Sequence, residues 1–150
     1  MNFVELQEKN IEEVYELQIF NKTEFGNNIW SKSELLNLLK RPEFYSIIFI
    51  PNKKIIGFSL FFETNKTLDL YSIFVSPKSR NKGVASSMIN NALIYSKTKS
   101  LEKITLEVNE KNTKAINFYT KNGFSDVGRR PNYYELSGVF YDAILMEIKI

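Results

Sequence analysis

The sequence predicts a mixed α/β (α+β) fold, one central sheet that is partly antiparallel and partly parallel, with helices packed against it. Three observations predict it. Two amphipathic helical stretches fill the first forty residues, three β-rich runs separated by turn residues follow, and the second half alternates strand with helix before closing on two strands. A meander needs only tight turns, whereas parallel neighbours need a crossover long enough for a helix, so both kinds of pairing are expected.

In chain order, Phe3-Val4-Glu5-Leu6 is a short strand candidate. Asn10 caps a helix whose apolar stripe is Ile11, Val14 and Leu17. Ser31-Lys32-Ser33-Glu34 is a capping box opening a second helix with Leu35, Leu38 and Leu39 on one face, and Pro42 ends it near Lys40-Arg41. Phe44–Ile50 and Ile55–Phe62 are β-branched and aromatic runs joined by Pro51-Asn52-Lys53-Lys54; Asn65-Lys66 then turns into Leu68–Val75, and Pro77 closes the meander. From Gly83, Val84, Met88, Ala92 and Tyr95 recur at helical spacing. Lys103–Val108 is a strand, Thr113–Lys121 a helix stopped by Asn122-Gly123, and Phe124–Val127 and Tyr141–Ile150 are closing strands. With no repeat, low-complexity tract or linker-like run, residues 1–150 read as one domain.

Composition then restricts the chemistry. The 150 residues contain no cysteine and no histidine. Disulfides, thiolate nucleophiles, Ser-His-Asp and Cys-His pairs, and imidazole or thiolate metal sites are therefore excluded, and no metal is expected. Acid–base work falls to Asp, Glu, Lys, Tyr or the substrate. The polar, acidic start is no signal peptide, and the most apolar run, Ile55–Phe62, is too short to span a membrane, so a soluble cytoplasmic protein is expected. Residues 1–75 hold 8 basic and 10 acidic side chains and residues 76–150 hold 12 and 7, which suits either an anionic ligand or a lysine-rich solvated surface. The basic stretch Lys78–Lys82 lacks aromatic residues, which argues against a base-stacking nucleic-acid surface.

The informative passage runs from Ile73 to Ser87, where a strand enters a short basic loop and the loop enters a helix beginning with small residues. Free N–H groups at a helix start bind anions, and small residues let a phosphate approach the backbone. Arg80-Asn81-Lys82-Gly83-Val84-Ala85 resembles the Arg/Gln-x-x-Gly-x-Gly/Ala signature of the GCN5-related N-acetyltransferases, with alanine in place of the second glycine. Leu106-Glu107-Val108, Asn112, Ala115, Tyr119 and Gly123-Phe124 are similar to a second block of that family, in the same strand–helix order. Gly128–Tyr134 and Tyr141–Met146 resemble the closing segment of its RimI-type subfamily, and Trp30-Ser31 stands where that subfamily carries a Trp-Ser pair, although the proline that commonly precedes the pair is missing.

The resemblance implies a GNAT fold of about seven strands and about four helices. It implies acetyl-CoA as co-substrate, its pyrophosphate on Arg80, Asn81, Lys82, Gly83, Val84 and Ala85, and its pantetheine arm on the backbone of Ile73 and Val75 and on Asn112. It further implies Glu107 as base, directly or through a water, and Tyr119 as acid. Trp30, Tyr133 and Tyr134 would contact the acceptor, a protein N-terminus such as that of a small-subunit ribosomal protein. Neither membrane nor direct nucleic-acid binding is implied, and a monomer or weak dimer is expected. Read without the resemblance, Glu107 is a solvated strand carboxylate, Tyr119 a core aromatic and Asn112 a helix cap. A small-amine acetyltransferase and a non-catalytic acyl-CoA-binding module are the competing readings. An α-amine is about one-tenth neutral at pH 7, against roughly one in 2,500 for a lysine amine, so a water-relayed carboxylate suits the α-amine better. Without cysteine, direct transfer in a ternary complex is expected.

Overall fold

A computed structural model describes residues 2–150. Seven strands form one sheet in the order β1-β2-β3-β4-β5-β7-β6, where β1 is Phe3–Val4, β2 Phe44–Phe49, β3 Gly57–Thr64, β4 Thr67–Val75, β5 Lys103–Asn109, β6 Ser125–Leu136 and β7 Val139–Lys149. Strands β1 to β4 pair antiparallel, β2 to β4 across short turns and β1 to β2 across the helical segment between them; β4 and β5 pair parallel across helix α4, Val84–Thr98. The remaining helices are α1 (Ile11–Phe20), α2 (Lys22–Phe25), α3 (Lys32–Leu39) and α5 (Thr113–Lys121). Short α2 brings the helix number to five where four were expected. No described helix is long and apolar enough to cross a membrane.

The sheet buries both faces. On one side Val84, Met88, Ile89 and Ala92 of α4 and Tyr119 of α5 pack on Leu68, Leu70, Ile104 and Leu106. On the other, Ile11, Val14 and Leu35 from α1 and α3 cover Ile48, Phe58, Leu60 and Phe74. Fully burying each such side chain contributes about 1.5–3 kcal/mol, which is why these positions carry the helical spacing seen in the sequence.

β7 inserts between β5 and β6, pairing antiparallel with both; its Ala143, Ile144 and Met146 are buried while nearly all of β6 is exposed. The more apolar strand takes the interior and the polar one the edge. β6 also runs to Leu136 instead of Val127, through Pro131, which is tolerated because the register jumps between Arg130 and Tyr134.

Candidate active site

The site exists because two parallel strands part company. β4 and β5 pair only from Thr67 to Leu70 and from Lys103 to Leu106. At Tyr71 the β4 register against β3 slips by one residue, a bulge that bends the strand just where the pairing with β5 stops. Beyond it the strands diverge around a cleft of about 1800 Å³. The Ser76 N–H bonds the Ile56 carbonyl (2.8 Å), which makes Phe74 and Ser72 bonded partners of β3. By alternation the N–H and C=O groups of Ile73 and Val75 point away from β3, toward the open side. The same reasoning from the bond between Glu110 N–H and the Asp142 carbonyl (3.0 Å) turns the backbone of Glu107 and Asn109 toward it from β5.

Helix α4 starts at the C-terminal end of β4. Its N-cap, Gly83, has φ +76°, which a side chain would strain, and no side chain caps the helix start. The first helical bond joins the Ser87 N–H to the Gly83 carbonyl (2.9 Å), leaving the preceding amides of this 15-residue helix directed outward. Ser79, Arg80, Asn81, Gly83, Val84 and Ala85 line the cleft here. Arg80 folds inward, its Nε donating to the Val75 carbonyl (2.8 Å) and its Nη2 pairing with Glu24 of α2 (2.6 Å). Of the backbone groups on this part of β4, the Val75 carbonyl is therefore already engaged. The Lys82 Nζ reaches back to the Lys78 carbonyl (3.2 Å).

Glu107 of β5 and Tyr119 of α5 both line the cleft. Glu107 is held by Arg130, whose Nε lies 2.9 Å from Oε1, and the Glu107 carboxylate raises the pKa of neighbouring Tyr133. Tyr119 is buried edge-on against Phe118 and Phe124, its hydroxyl without a hydrogen-bond partner among the described residues. Burial raises its pKa above the ordinary tyrosine value, with neighbouring Tyr134 adding to the effect, so it stays a neutral donor. Tyr134 itself is pushed up to about 12, chiefly by burial. Asn112 caps α5 through Oδ1, which accepts from the Ala115 N–H (3.1 Å), and its Nδ2 has no partner among the described residues. Cap and cleft-lining roles coincide in one side chain.

A model of the acetyltransferase (GNAT) family matches residues 11–124. The chain belongs to the GNAT family. It is 25% identical over 120 residues to the [ribosomal protein bS18]-alanine N-acetyltransferase of Haemophilus ducreyi, covering 79% of this chain and 82% of the relative. It is 35% identical over 79 residues to the spermidine N(1)-acetyltransferase of Vibrio cholerae, covering 52% and 46%. The chain spans about half the length of some curated relatives that it matches, the spermidine enzyme among them. The crystal structure of the ribosomal-protein-S18-alanine N-acetyltransferase from Escherichia coli superposes with TM-score 0.85 at 20% identity, covering 99% of this chain and 93% of that one, which establishes the GNAT fold.

Within this GNAT chain every candidate catalytic, cofactor-binding or acceptor-binding residue except Lys82 lines this cleft, including Trp30, Tyr133 and Tyr134. Sequence reasoning missed the residues that hold them. Fully buried Gln18 accepts from the Trp30 N–H (2.8 Å) and donates to its carbonyl (3.1 Å), while the Ser31–Glu34 capping box fixes the next residue. The signal was a glutamine on an apolar helical stripe with Ile11 and Val14. Tyr133 is aimed by the bulge after Arg130, pinned where the Asn132 N–H bonds Asp142 Oδ1 (3.0 Å).

Proposed function

We propose that this chain is an acetyl-CoA-dependent N-acetyltransferase acting on the N-terminal α-amine of a protein, a small-subunit ribosomal protein in the first instance, by direct transfer in a ternary complex. The observation that carries it is the parting of β4 and β5, which brings free strand amides, a carboxylate and a neutral tyrosine to one cleft. The residues present fit the co-substrate. Ile73 offers both backbone groups and Val75 its N–H to an extended amide chain, Asn112 offers Nδ2, and the uncapped amides after Gly83, beside Arg80, Asn81 and Lys82, suit a diphosphate.

When bound, acetyl-CoA supplies the activated thioester carbonyl. The rest is the work of the chain. Glu107 keeps Oε2 for a water that takes the proton from the attacking amine, since Oε1 is engaged by Arg130. The Tyr119 hydroxyl donates its proton to the departing sulfur. Trp30, held by Gln18, and the pair Tyr133–Tyr134, rings 5.0 Å apart, flank the incoming acceptor. The acceptor end is open rather than enclosed: Tyr133 is 51% and Leu136 58% exposed, which favours a chain terminus over a small free amine. Glu34, Glu107 and Glu135 line the same cleft and favour the second reading, a polyamine acceptor.

A panel of alanine-starting peptides, polyamines and amino acids, incubated with acetyl-CoA while free thiol and product mass are followed, separates them. Thiol release is expected with peptides, with the product 42 Da heavier at its α-amine, roughly one acetyl group. Release with polyamines alone sinks the peptide reading.

A further inference from the structure

Arg130, which touches the cleft residues Glu107 and Tyr133 from beside the cleft, has no part yet in the proposed transfer. It spends only Nε on Glu107; neither terminal amino group has a partner among the described residues, and the side chain is 58% exposed over the Tyr133 ring, 5.8 Å from its centroid. Its place is built rather than incidental. Arg130 is the last β6 residue in register before the bulge, opposite Ala143, and the bond from Asn132 to Asp142 fixes where the strand turns. Its two neighbours, Glu107 and Tyr133, both line the cleft, so the exposed guanidinium fork stands at the cleft's edge beside the proposed base. A planar fork with both terminal amino groups free is matched by a carboxylate.

We propose that Arg130 selects acceptors carrying a carboxylate close to the reacting amine. The inference rests on the α-amine acetyltransferase reading above and names the acceptor class of that site. An amine delivered to a water on Glu107 lies within one residue length, about 3.5 Å, plus a short side chain of the Arg130 fork. A carboxylate on that fork is therefore the side chain of Asp or Glu at the second residue of a peptide, or the α-carboxylate of a free amino acid. The open rim favours the peptide. Recruiting the fork leaves Glu107 as the proton acceptor and adds no chemical step; it changes which acceptor is held.

The experiment measures kcat/KM of the whole chain on peptides that differ only at the second residue, Ala-Glu, Ala-Gln and Ala-Lys, with free glutamate and its diamide as further arms. The wild type is expected to favour Ala-Glu over Ala-Gln about tenfold, as charge-assisted hydrogen bonds allow. Arg130→Leu brings that ratio to about one and Arg130→Glu turns the preference toward Ala-Lys, as complementarity across a contact requires. The ratio is read because removing Arg130 also alters Glu107 and shifts turnover on every peptide alike. Equal kcat/KM for Ala-Glu and Ala-Gln in the wild type, or an acid preference that survives in Arg130→Leu, overturns the inference while the acetyltransferase reading stands. Release of thiol with free glutamate but not with its diamide or any peptide keeps carboxylate recognition and overturns the peptide acceptor. No release with any acceptor overturns both.

Discussion

Tyr119 is a residue whose two roles can be separated by one oxygen atom. Its ring closes the core between Phe118 and Phe124, with centroids 5.2 and 5.6 Å away, while the residue lines the cleft and its hydroxyl has no hydrogen-bond partner among the described residues. Burial holds the hydroxyl neutral, so it can donate but is not consumed by ionisation at working pH. Tyr119→Phe keeps the ring and its packing. It should lower kcat by about 100-fold, the lower range for a lost general acid, and leave the urea midpoint and the affinity for acetyl-CoA unchanged. Steady-state kinetics beside calorimetric titration with acetyl-CoA makes the comparison. Unaltered kcat would remove the hydroxyl from the reaction; a fall in midpoint together with kcat would mark the residue as structural.

At the scale of elements, function follows from where one element stops supporting another. The bulge at Tyr71 frees the end of β4, and Gly83 turns the chain so that α4 begins beside it. A β-carbon at Gly83 would meet nothing within 4 Å, so Gly83→Ala is penalised by its left-handed backbone and not by contact, about 1–2 kcal/mol. Gly138, φ +78° in the β6–β7 turn and equally unobstructed, is the matched control. Both alanine variants should lose similar stability to urea, but only Gly83→Ala should weaken acetyl-CoA binding in calorimetry. Equal affinities would mean that the amides after Gly83 do not hold the diphosphate. The elements differ in how plainly the sequence announces them. Helix α5 was bounded to the residue, since the Asn112 cap and Asn122-Gly123 stop are local. Strand β6 was cut short because an exposed edge strand has no buried face to impose alternation, and Pro131 hides a bulge that only the partner strand reveals. Cleft residues Glu107, Tyr119 and Trp30 were found, but their holders were not. Arg130 on Glu107, Glu24 on Arg80 and Gln18 on Trp30 are contacts between elements, and Glu24 and Arg80 stand 56 residues apart in the chain.

For the whole molecule, the composition that restricts catalysis also shapes its response to pH. With no histidine and no cysteine, no side chain of ordinary pKa changes charge between about pH 6 and 8, so folding stability should be flat there. The alkaline limb is set by tyrosines. Burial lifts Tyr45 to about 12; burial and the hydrogen bond that the Tyr95 hydroxyl donates to Glu63 raise Tyr95, and the two rings stack 3.7 Å apart; Tyr119 and Tyr134 are raised as well. In each case the folded pKa lies above the unfolded value near 10, so between the two the unfolded chain has released a proton that the native state retains. Unfolding then becomes more favourable as pH rises. Stability is fully present below about pH 10 and is lost above it, by about 1.4 kcal/mol per pH unit for each deeply buried tyrosine such as Tyr45 and Tyr119. Urea midpoints between pH 6 and pH 11 test this, with Tyr45→Phe as the comparison. The wild-type midpoint should hold to about pH 9.5 and then fall, and Tyr45→Phe should fall less steeply because one of the linked protons is gone. A wild-type midpoint constant to pH 11, or a variant that declines in parallel, would mean that these hydroxyls ionise as readily in the native state as in the unfolded chain, against their burial.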